Sequence, residues 1–241
     1  MSSAPSSSEA ARLDALRRYE VLDTPPEPAF DDLARVAALA CGTPVALVSL
    51  MDEARQWFKA RVGLDANETP RSVAFCDHAI RQPDRLLVVP DATADHRFRN
   101  NPLVTGDTHI RFYAGAPLVT PEGYAVGTLC AIDRRSRELA PAQAEALATL
   151  ARQVVTLLEL RREVAALTRA NAELAAAAPR VRVTGESVVL LCGWTRAVKL
   201  DRGPWVSVEE FLRDALGARV VPGISDEALR RLGELPAVMT A

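Results

Sequence analysis

The side chains of this chain that are best suited to chemistry are those of its four cysteines, Cys41, Cys76, Cys130 and Cys192. A cysteine thiolate can act as a nucleophile, a metal ligand or a redox centre. These cysteines are scattered singly, without the close pairs of a zinc knuckle, a redox dithiol or a disulfide scaffold. We therefore predict no metal site, and we expect most of the thiols to be reduced and buried as small apolar side chains.

Cys76 has the most suggestive neighbours, because Asp77 and His78 follow it directly. A cysteine close to a histidine is a common arrangement for a thiol nucleophile. Adjacent positions on a helix point about 100° apart, however, so sequence neighbours cannot simply form a catalytic pair. We predict no catalytic residue here and favour burial of Cys76 in the core.

A pair of short strands, YAGAPLVTPEGYAVGTLCAID at residues 113–133, has the character of a cavity wall. A Pro-Glu-Gly turn joins the strands, and the second strand holds small and hydroxylated residues where a purely structural strand would hold bulky ones. Strand alternation places Thr128 and Cys130 on one face and Leu129 on the other. We expect one of these faces to line a pocket.

Further candidates for ligand binding follow strands or lie in the long polar segment ADHRFRNNPLVTGDTHIR. Long irregular segments inside compact domains are often binding loops, where Asp91, Arg97 and Tyr113 could meet polar groups of a ligand. Asp91 has an alternative role as a turn cap, and Arg97 has one as a solvated loop charge.

These residues require a scaffold, and the pattern of the chain predicts one of α+β class, a mostly antiparallel sheet with helices packed on it. Amphipathic spacing and capping signals predict helices over Glu9 to Glu20, Pro28 to Cys41 and Ser72 to Arg81, the last capped by Ser72. Apolar runs predict strands at VALVSLMD, QWFKARVGL and LLVVPDA. The strand pair at about 112–119 and 125–132 is expected to close the sheet.

Residues 9 to about 165 resemble a GAF domain of the kind found in bacterial sensory histidine kinases and cyclic-dinucleotide enzymes. The matching segments occur in the family's order: LRRYEVLDTPPEPAFDDLARVAA, SLMDEARQWFKARVGL, FCDHAI, LVVPDATADHRF, NNPLV, IRFYAGAPLVTPEGYAVGTLCAID and the helix after Leu139. The resemblance implies a GAF-type sheet with a ligand pocket on one face. With the arguments above, it gives these ligand-binding candidates: Phe75, Cys76, Asp91, Arg97, Tyr113, Thr128 and Cys130.

The resemblance implies a non-enzymatic signal-sensing protein whose GAF domain, residues 9–140, binds a small molecule or a partner. The ligand and any cofactor stay unidentified. Free methionine sulfoxide reductases also use this fold, which leaves a thiol-dependent reductase using Cys76 or Cys130 as an alternative. Some phytochrome domains attach a bilin through a cysteine followed by histidine, which leaves a bilin photoreceptor as a second alternative, although Asp77 intervenes here. A further alternative is a dimeric scaffold without a ligand.

The segment from Pro141 to Ala178 contains no helix breaker and is predicted to be one long helix. Its apolar residues form a heptad seam with one three-residue stammer, through Leu147, Leu150, Val154, Leu157, Leu160, Val164, Leu167, Asn171 and Leu174. At 1.5 Å per residue the helix is about 57 Å long, more than one domain of this size can cover. We predict a homodimer through a coiled coil at 141–178, with packing against its own sheet as the alternative for the first half.

Residues 179–241 are expected to form a small α/β module with a strand at Val188 to Leu191 and a helix at Trp205 to Leu216, in which Ser207 and Glu210 form a capping box. The module resembles the cysteine-containing tail of bacterial receiver and sensor proteins. Of its four cysteine positions this chain keeps Cys192 and has Thr195, Ser225 and Ala228 at the others. One thiolate cannot hold a structural zinc ion. The resemblance therefore implies a packing or docking module held by Leu191, Trp194, Trp205, Phe211 and Leu212.

Composition limits the partners of the chain. A formal net charge of -2 gives no basic field that would recruit nucleic acid or an anionic membrane. The start of the chain, residues 1–8, is rich in Ser, Ala and Pro, is expected to be mobile, and lacks the pattern of a secretory signal. We expect a cytoplasmic protein without nucleic-acid or membrane contacts, whose partners are a second copy, a small molecule and a signalling protein.

Overall fold

The structure is a computed structural model that describes residues 7–177, 180–182, 188–192, 195, 197–200 and 204–216. The chain divides into two compact units, Met1–Ala166 and Leu167–Ala241. The segment predicted to be mobile, residues 1–8, lies mostly outside the described residues, and the first helix already begins at Ser7.

The first unit is built on a six-stranded sheet, counted over the described residues, in which every neighbouring pair is antiparallel. The strands are β1 (Val45–Met51), β2 (Arg55–Val62), β3 (Glu68–Pro70), β4 (Leu87–Val89), β5 (Phe112–Val119) and β6 (Ala125–Asp133). They lie in the order β3-β2-β1-β6-β5-β4. The predicted α+β class with an antiparallel sheet is confirmed.

Helices cover both faces of this sheet. The helices are α1 (Ser7–Arg17), α2 (Pro28–Cys41), α3 (Phe75–Ile80), α4 (Pro102–Thr105) and α5 (Pro141–Ala177), with a 3-10 turn at Arg71–Val73. One face packs against α1, α2 and the first half of α5, around Phe30, Leu129 and Leu147. The opposite face packs against α3, α4 and the loops near them, around Phe75 and Tyr113. Because both faces are covered, β1 is buried along nearly its whole length.

Two expectations about these elements were wrong. The strand pair β5 and β6 does not close the sheet: β6 lies beside β1 in its middle, and β4 forms the edge beyond β5. Ser72 does not cap α3, because a 3-10 turn intervenes and Ala74, which has no side-chain acceptor, precedes the helix. The bounds of α2 agree with the prediction, since Pro28 starts the helix and Gly42 ends it at a φ of 64°.

The long helix α5 is present and begins at the predicted residue, Pro141. Its first half packs against its own sheet, with Leu147, Val154 and Leu158 fully buried. This outcome matches the alternative stated for that half of the helix. Farther along, Leu160 is 55% exposed, so the apolar stripe continues after the helix has stopped covering the sheet.

The second unit contains a three-stranded antiparallel sheet in its described part, formed by β7 (Arg180–Arg182), β8 (Val188–Leu191) and β9 (Val198–Leu200). A helix, α6 (Val208–Leu216), follows, and the backbone N–H of Glu210 donates to Ser207 Oγ, as the capping signal predicts. Phe211 packs against Val198, but Trp205 is 51% exposed and is not the core residue that the sequence suggested. Trp194, Ser225 and Ala228 lie outside the described residues.

Candidate functional site

A largely apolar cavity of about 160 Å³ lies on the face of the sheet that carries α3 and α4. Strands β1, β2, β5 and β6 contribute to its wall, and α3 closes it. Its lining residues are Val45, Leu47, Gln56, Phe58, Gly63, Leu64, Ala66, Thr69, Phe75, Cys76, Leu103, Thr108, Ile110, Tyr113, Ile132, Asp133 and Arg134. An apolar wall with a few polar groups is the usual composition of a small-molecule site.

The sulfur of Cys76 is the polar centre of this cavity. Of the side chains that the structure describes, four donate hydrogen bonds to Cys76 Sγ from oxygen or nitrogen: Thr128 Oγ1 at 3.0 Å, Tyr113 Oη at 3.2 Å, and Ser49 Oγ and Gln56 Nε2 at 3.3 Å each. Cys130 Sγ lies 4.0 Å from the same sulfur. A neutral thiol is only a weak acceptor, so this concentration of donors suits a negatively charged sulfur.

The register of the sheet brings these donors together. Ser49 on β1 pairs with Thr128 on β6, and their hydroxyl oxygens are 3.1 Å apart. Strand alternation then places Cys130, two residues after Thr128, on the same face. Both hydroxyl residues are fully buried, so their polar atoms must find partners inside the domain. The sulfur of Cys76 supplies one.

Gly115 permits the position of the Tyr113 ring. A Cβ atom added at Gly115 would lie 2.1 Å from Tyr113 Oη, far inside van der Waals contact. The absent side chain therefore leaves room for the phenol to lie along β5 and reach Cys76. Phe75 also holds the ring, since its centroid is 5.2 Å from that of Tyr113.

The donors determine the acidity of the sulfur. Burial alone would raise the pKa of Cys76, but hydrogen bonds from Cys130, Ser49, Thr128 and Tyr113 outweigh it and lower the pKa to about 6. The pKa of Cys130 is raised well above its ordinary value by its hydrogen bond to Cys76 and by burial. Burial and the neighbouring Cys76 charge likewise raise the pKa of Tyr113. The pair therefore consists of an acidic thiol beside one that stays protonated.

The three neighbours Cys76, Asp77 and His78 point in different directions, as their helical spacing predicts. Asp77 accepts a hydrogen bond from Arg71 Nε at 2.7 Å and also pairs with Arg81. The His78 ring packs edge-on against Phe98, with centroids 4.8 Å apart, and burial lowers its pKa. His78 therefore has no place as a base for the Cys76 sulfur.

The structure brings together five of the seven predicted site residues. Phe75, Cys76 and Tyr113 line the cavity, while Thr128 and Cys130 lie directly behind the Cys76 sulfur. The other two are placed elsewhere. Asp91 accepts hydrogen bonds from the N–H and hydroxyl of Thr93, and Arg97 pairs with Asp95 at 2.6 Å, which are the local roles given as alternatives for both residues.

Two functional candidates, Ser49 and Gln56, were missed in the sequence. Both are buried polar residues in the buried stretches of their strands, β1 and β2. The sequence does point to Ser49, because a hydroxyl within the apolar run VALVSLM needs a hydrogen-bond partner inside the protein. Gln56 carries a weaker signal, since a polar residue at the start of a strand is usually exposed.

A larger hollow of about 680 Å³ beside β2 is a weaker candidate. It is wide open to solvent, and its buried cation already has partners: Lys59 Nζ donates to Glu27 at 2.6 Å, to Pro25 O at 2.8 Å and to Thr24 at 2.9 Å. These contacts tie the loop before α2 to β2, so they serve the fold rather than a ligand.

The part of the chain that the structure describes contains no cluster of three or more His, Cys, Asp or Glu side chains suited to a metal ion. No helix among the described residues is long and apolar enough to cross a bilayer.

The chain is similar to several known proteins. A cyclic di-GMP phosphodiesterase of Pseudomonas aeruginosa is 44% identical over 129 residues, which are 54% of this chain and 22% of that protein. The GAF domain of an Acinetobacter phosphoenolpyruvate-protein phosphotransferase is 17% identical, with a TM-score of 0.48 over 66% of this chain and 98% of that one. A domain of a two-component sensor histidine kinase from Sinorhizobium meliloti is 22% identical, with a TM-score of 0.44 over 59% and 96% of the two chains.

The chain thus spans about a fifth of the length of the curated relative it matches. The profile of the GAF domain family matches residues 25–158, more than half of the chain, and this range contains the whole six-stranded sheet with the Cys76 cavity. This chain therefore belongs to the GAF domain family.

Proposed function

We propose that this GAF domain is a non-enzymatic sensor that binds a small molecule in the Cys76 cavity and transmits the binding event through α5 in a homodimer. One observation carries the proposal: β5 and β6 form part of the cavity wall with one face and pack against α5 with the other. The match to part of a cyclic di-GMP phosphodiesterase supports a place in a signalling pathway.

The cavity suits a compact, mostly apolar ligand. Its volume of about 160 Å³ is below the roughly 300–1,000 Å³ of sites for drug-sized molecules. Thr69, Thr108 and Arg134 supply polar groups at its margin. A ligand that fills the apolar part and meets these groups would be both retained and oriented.

The path from cavity to helix is short because side chains alternate along each strand. On β5, Tyr113 faces the cavity, and Ala114 next to it faces the core that contains Leu147 of α5. On β6, Cys130 lies behind the cavity and Leu129 faces α5. A ligand that shifts these strands by a fraction of an ångström alters the surface on which α5 rests, and a two-state packing amplifies such a shift.

Polar contacts hold α5 against both ends of α2. Gln143 Nε2 donates to the carbonyls of Ala40 and Cys41 at the end of α2. Arg161 donates to Glu27 at 2.9 Å, just before α2 begins. The two helices therefore lie side by side and antiparallel, and movement of one is transmitted to the other.

A second copy of the chain is the proposed partner of α5. Leu160 is 55%, Leu167 is 64% and Leu174 is 70% exposed, and these residues are spaced by seven as in a coiled-coil seam. In the same layer, α2 exposes Leu39. An apolar stripe of this regularity gains free energy when a second helix covers it.

Size-exclusion chromatography with light scattering tests the dimer. We expect wild-type protein to run as a dimer and the double variant Leu160→Glu/Leu167→Glu to run as a monomer, because two charges would have to be buried in the seam. Ala172→Glu, about 100° away from the seam position Asn171 on the helix, is the matched control and should stay dimeric. A monomeric wild-type protein at micromolar concentration would overturn transmission through a dimer.

Native mass spectrometry of the purified full chain tests the cavity. We expect a bound small molecule in the wild type and its loss in Ala66→Trp, because Ala66 is exposed at the cavity margin and tolerates a larger side chain that blocks the opening. Ala94→Trp places the same side chain on an exposed turn that does not line the cavity and should keep the ligand. Wild-type protein that is empty after purification under gentle conditions would favour the dimeric scaffold.

A further inference from the structure

We infer that Cys76 and Cys130 form an oxidisable pair, in which a hydroperoxide that enters the cavity oxidises the Cys76 sulfur and Cys130 converts the product to a disulfide. The inference rests on geometry: a buried cysteine at the cavity wall whose sulfur is surrounded by proton donors, with a second sulfur 4.0 Å away. The disulfide itself does not depend on the proposed sensor function. Its use as a regulator of the cavity does rest on that function.

Access distinguishes the two sulfurs. Cys76 is one of the residues that line the cavity, whereas Cys130 lies behind Cys76 and does not line it. Only a small oxidant can reach Cys76 through about 160 Å³ of space. Cys76 is therefore the sulfur that meets the oxidant, and Cys130 is placed to react second.

The donors around Cys76 favour attack on a peroxide. The thiolate is the reactive form of cysteine, and hydrogen bonds from Thr128, Tyr113, Ser49 and Gln56 stabilise it inside the domain. Its low pKa agrees with this role. The same groups can donate to the oxygen that the reaction adds to sulfur and to the alkoxide or hydroxide that leaves.

The chemistry balances without a further reactant. The Cys76 thiolate attacks the terminal oxygen of the hydroperoxide, the O–O bond breaks, and sulfenic acid forms while the remaining oxygen takes up a proton and leaves as alcohol or water. The Cys130 sulfur then attacks the sulfenic sulfur, forming the S–S bond and releasing water that carries the thiol proton. Two thiols and one hydroperoxide give one disulfide, one alcohol or water molecule and one water molecule.

The two sulfurs are near enough for this second step. They are 4.0 Å apart and must approach by about 2 Å to reach the bonded distance of about 2.05 Å. Cys76 belongs to the short helix α3 and Cys130 to the central strand β6, so the bond would pull α3 toward the sheet. The pull narrows the cavity and removes the acceptor that Thr128 and Tyr113 share.

Peptide mass spectrometry of the full chain after exposure to hydrogen peroxide tests the pair. Trypsin releases Cys76 in peptide 72–81 and Cys130 in peptide 112–134, so the disulfide appears as these two peptides linked, with two hydrogens lost. We expect the linked peptide in wild type at near-stoichiometric peroxide. The inference is overturned if both peptides stay unlinked while Cys192, which is partly exposed, has been oxidised.

Variants separate the steps. Cys130→Ser should lose the linked peptide completely and accumulate sulfenic acid at Cys76, trapped by dimedone. Cys41→Ser is the matched control, because Cys41 is buried on the other face of the sheet, and it should form the disulfide as wild type does.

Tyr113→Phe keeps the ring and removes one hydrogen-bond donor to Cys76. Formation of the disulfide should therefore be about two- to sixfold slower at pH 6, after the higher nucleophilicity of a less acidic thiol is included. Absence of the dimedone adduct at Cys76 in Cys130→Ser, or an unchanged rate of linkage in Tyr113→Phe, contradicts the inference.

The outcome is independent of whether a ligand is found. A chain that forms the disulfide but is always purified empty contradicts the proposed sensor function and leaves the oxidisable pair in place. A chain that carries a ligand but never forms the linked peptide keeps the sensor function and removes the pair.

Discussion

Replacing Thr128 with valine removes the hydrogen bond from its hydroxyl to Cys76 Sγ, together with the contact between that hydroxyl and Ser49 Oγ. Thr128 is fully buried on β6, and its hydroxyl lies 3.0 Å from Cys76 Sγ, which makes it the shortest of the four hydrogen bonds to that sulfur. Valine has nearly the same shape and the same preference for strands. The substitution therefore isolates the electrostatic role of the hydroxyl from the packing of the strand.

The magnitude follows from the charge of the acceptor. A hydrogen bond to a charged group contributes about 1.5–3 kcal/mol, and one pKa unit corresponds to about 1.4 kcal/mol. Loss of the Thr128 donor should therefore raise the pKa of Cys76 by about one to two units. The starting value is about 6, so the variant should titrate close to the ordinary range of cysteine.

The assay is the ultraviolet absorbance of thiolates in the folded protein as a function of pH. The first step belongs to Cys76, because burial raises the pKa of Cys41 and because Cys130 also titrates far above its ordinary value. Cys76→Ser should abolish that step, and Cys41→Ser should leave it unchanged. A midpoint that is the same in Thr128→Val and wild type would refute the argument that donors, rather than some other feature, make this sulfur acidic.

Other predictions concern stability. The pKa of Cys76 is lowered on folding, so the stability that its thiolate gives to the folded state is complete above pH ~8.5 and is lost as the pH falls through about 6. Denaturant unfolding should therefore show that the difference in free energy of unfolding between wild type and Cys76→Ser shrinks over this pH range, by on the order of 3 kcal/mol. A hydrogen bond from Arg12 lowers the pKa of Glu9 to about 2, against the effect of burial. Glu9→Gln should therefore lower the free energy of unfolding at neutral pH, and this loss should become smaller as acid protonates the carboxylate of the wild type. Arg161→Ala loses the bond to Glu27 and those to the carbonyls of Tyr19 and Glu20, which follow α1, so it should lower the free energy of unfolding by about 1–3 kcal/mol and speed hydrogen exchange in α5. Arg152→Ala, whose partner Thr149 is on the same helix, should do neither.

Local patterns predict this fold well where a residue's neighbours in sequence determine its conformation. The bounds of α2 and β5 were predicted correctly because Pro28 and Gly42 delimit the helix and the apolar run 112–119 reads as a strand. The order of the strands is a different matter. Which strand lies beside β1 depends on contacts between residues about 80 positions apart, such as Ser49 and Thr128, and no local pattern encodes them.

The candidate site shows the same division. Alternation along β6 correctly grouped Thr128 with Cys130, because the period of a strand is fixed by its geometry. The burial of Cys76 was also anticipated, but its acidity was not. That acidity depends on donors from β1, β2, β5 and β6 that meet only in three dimensions.

Candidates in the long loop were harder to judge. Asp91 and Arg97 have the residue types of a ligand site, yet Asp91 bonds Thr93 and Arg97 bonds Asp95, each a neighbour two residues away along the chain. Short polar side chains in turns often bond their own backbone, and this local competition removes them from a distant pocket. Gly115 illustrates the converse: its role is to leave space for Tyr113, and an absent side chain has no pattern to recognise.

Coupling between the cavity and α5 is the central claim, and hydrogen–deuterium exchange measures it most directly. Exchange in the part of α5 from 141 to 166 is compared between the wild type as purified, Ala66→Trp and Ala94→Trp. Ala66 lines the cavity, which lies on the opposite face of the sheet from α5, so a change in the hydrogen exchange of α5 has to be transmitted through the strands. We predict altered protection of α5 in Ala66→Trp and wild-type protection in Ala94→Trp. Identical exchange in all three proteins would contradict the account.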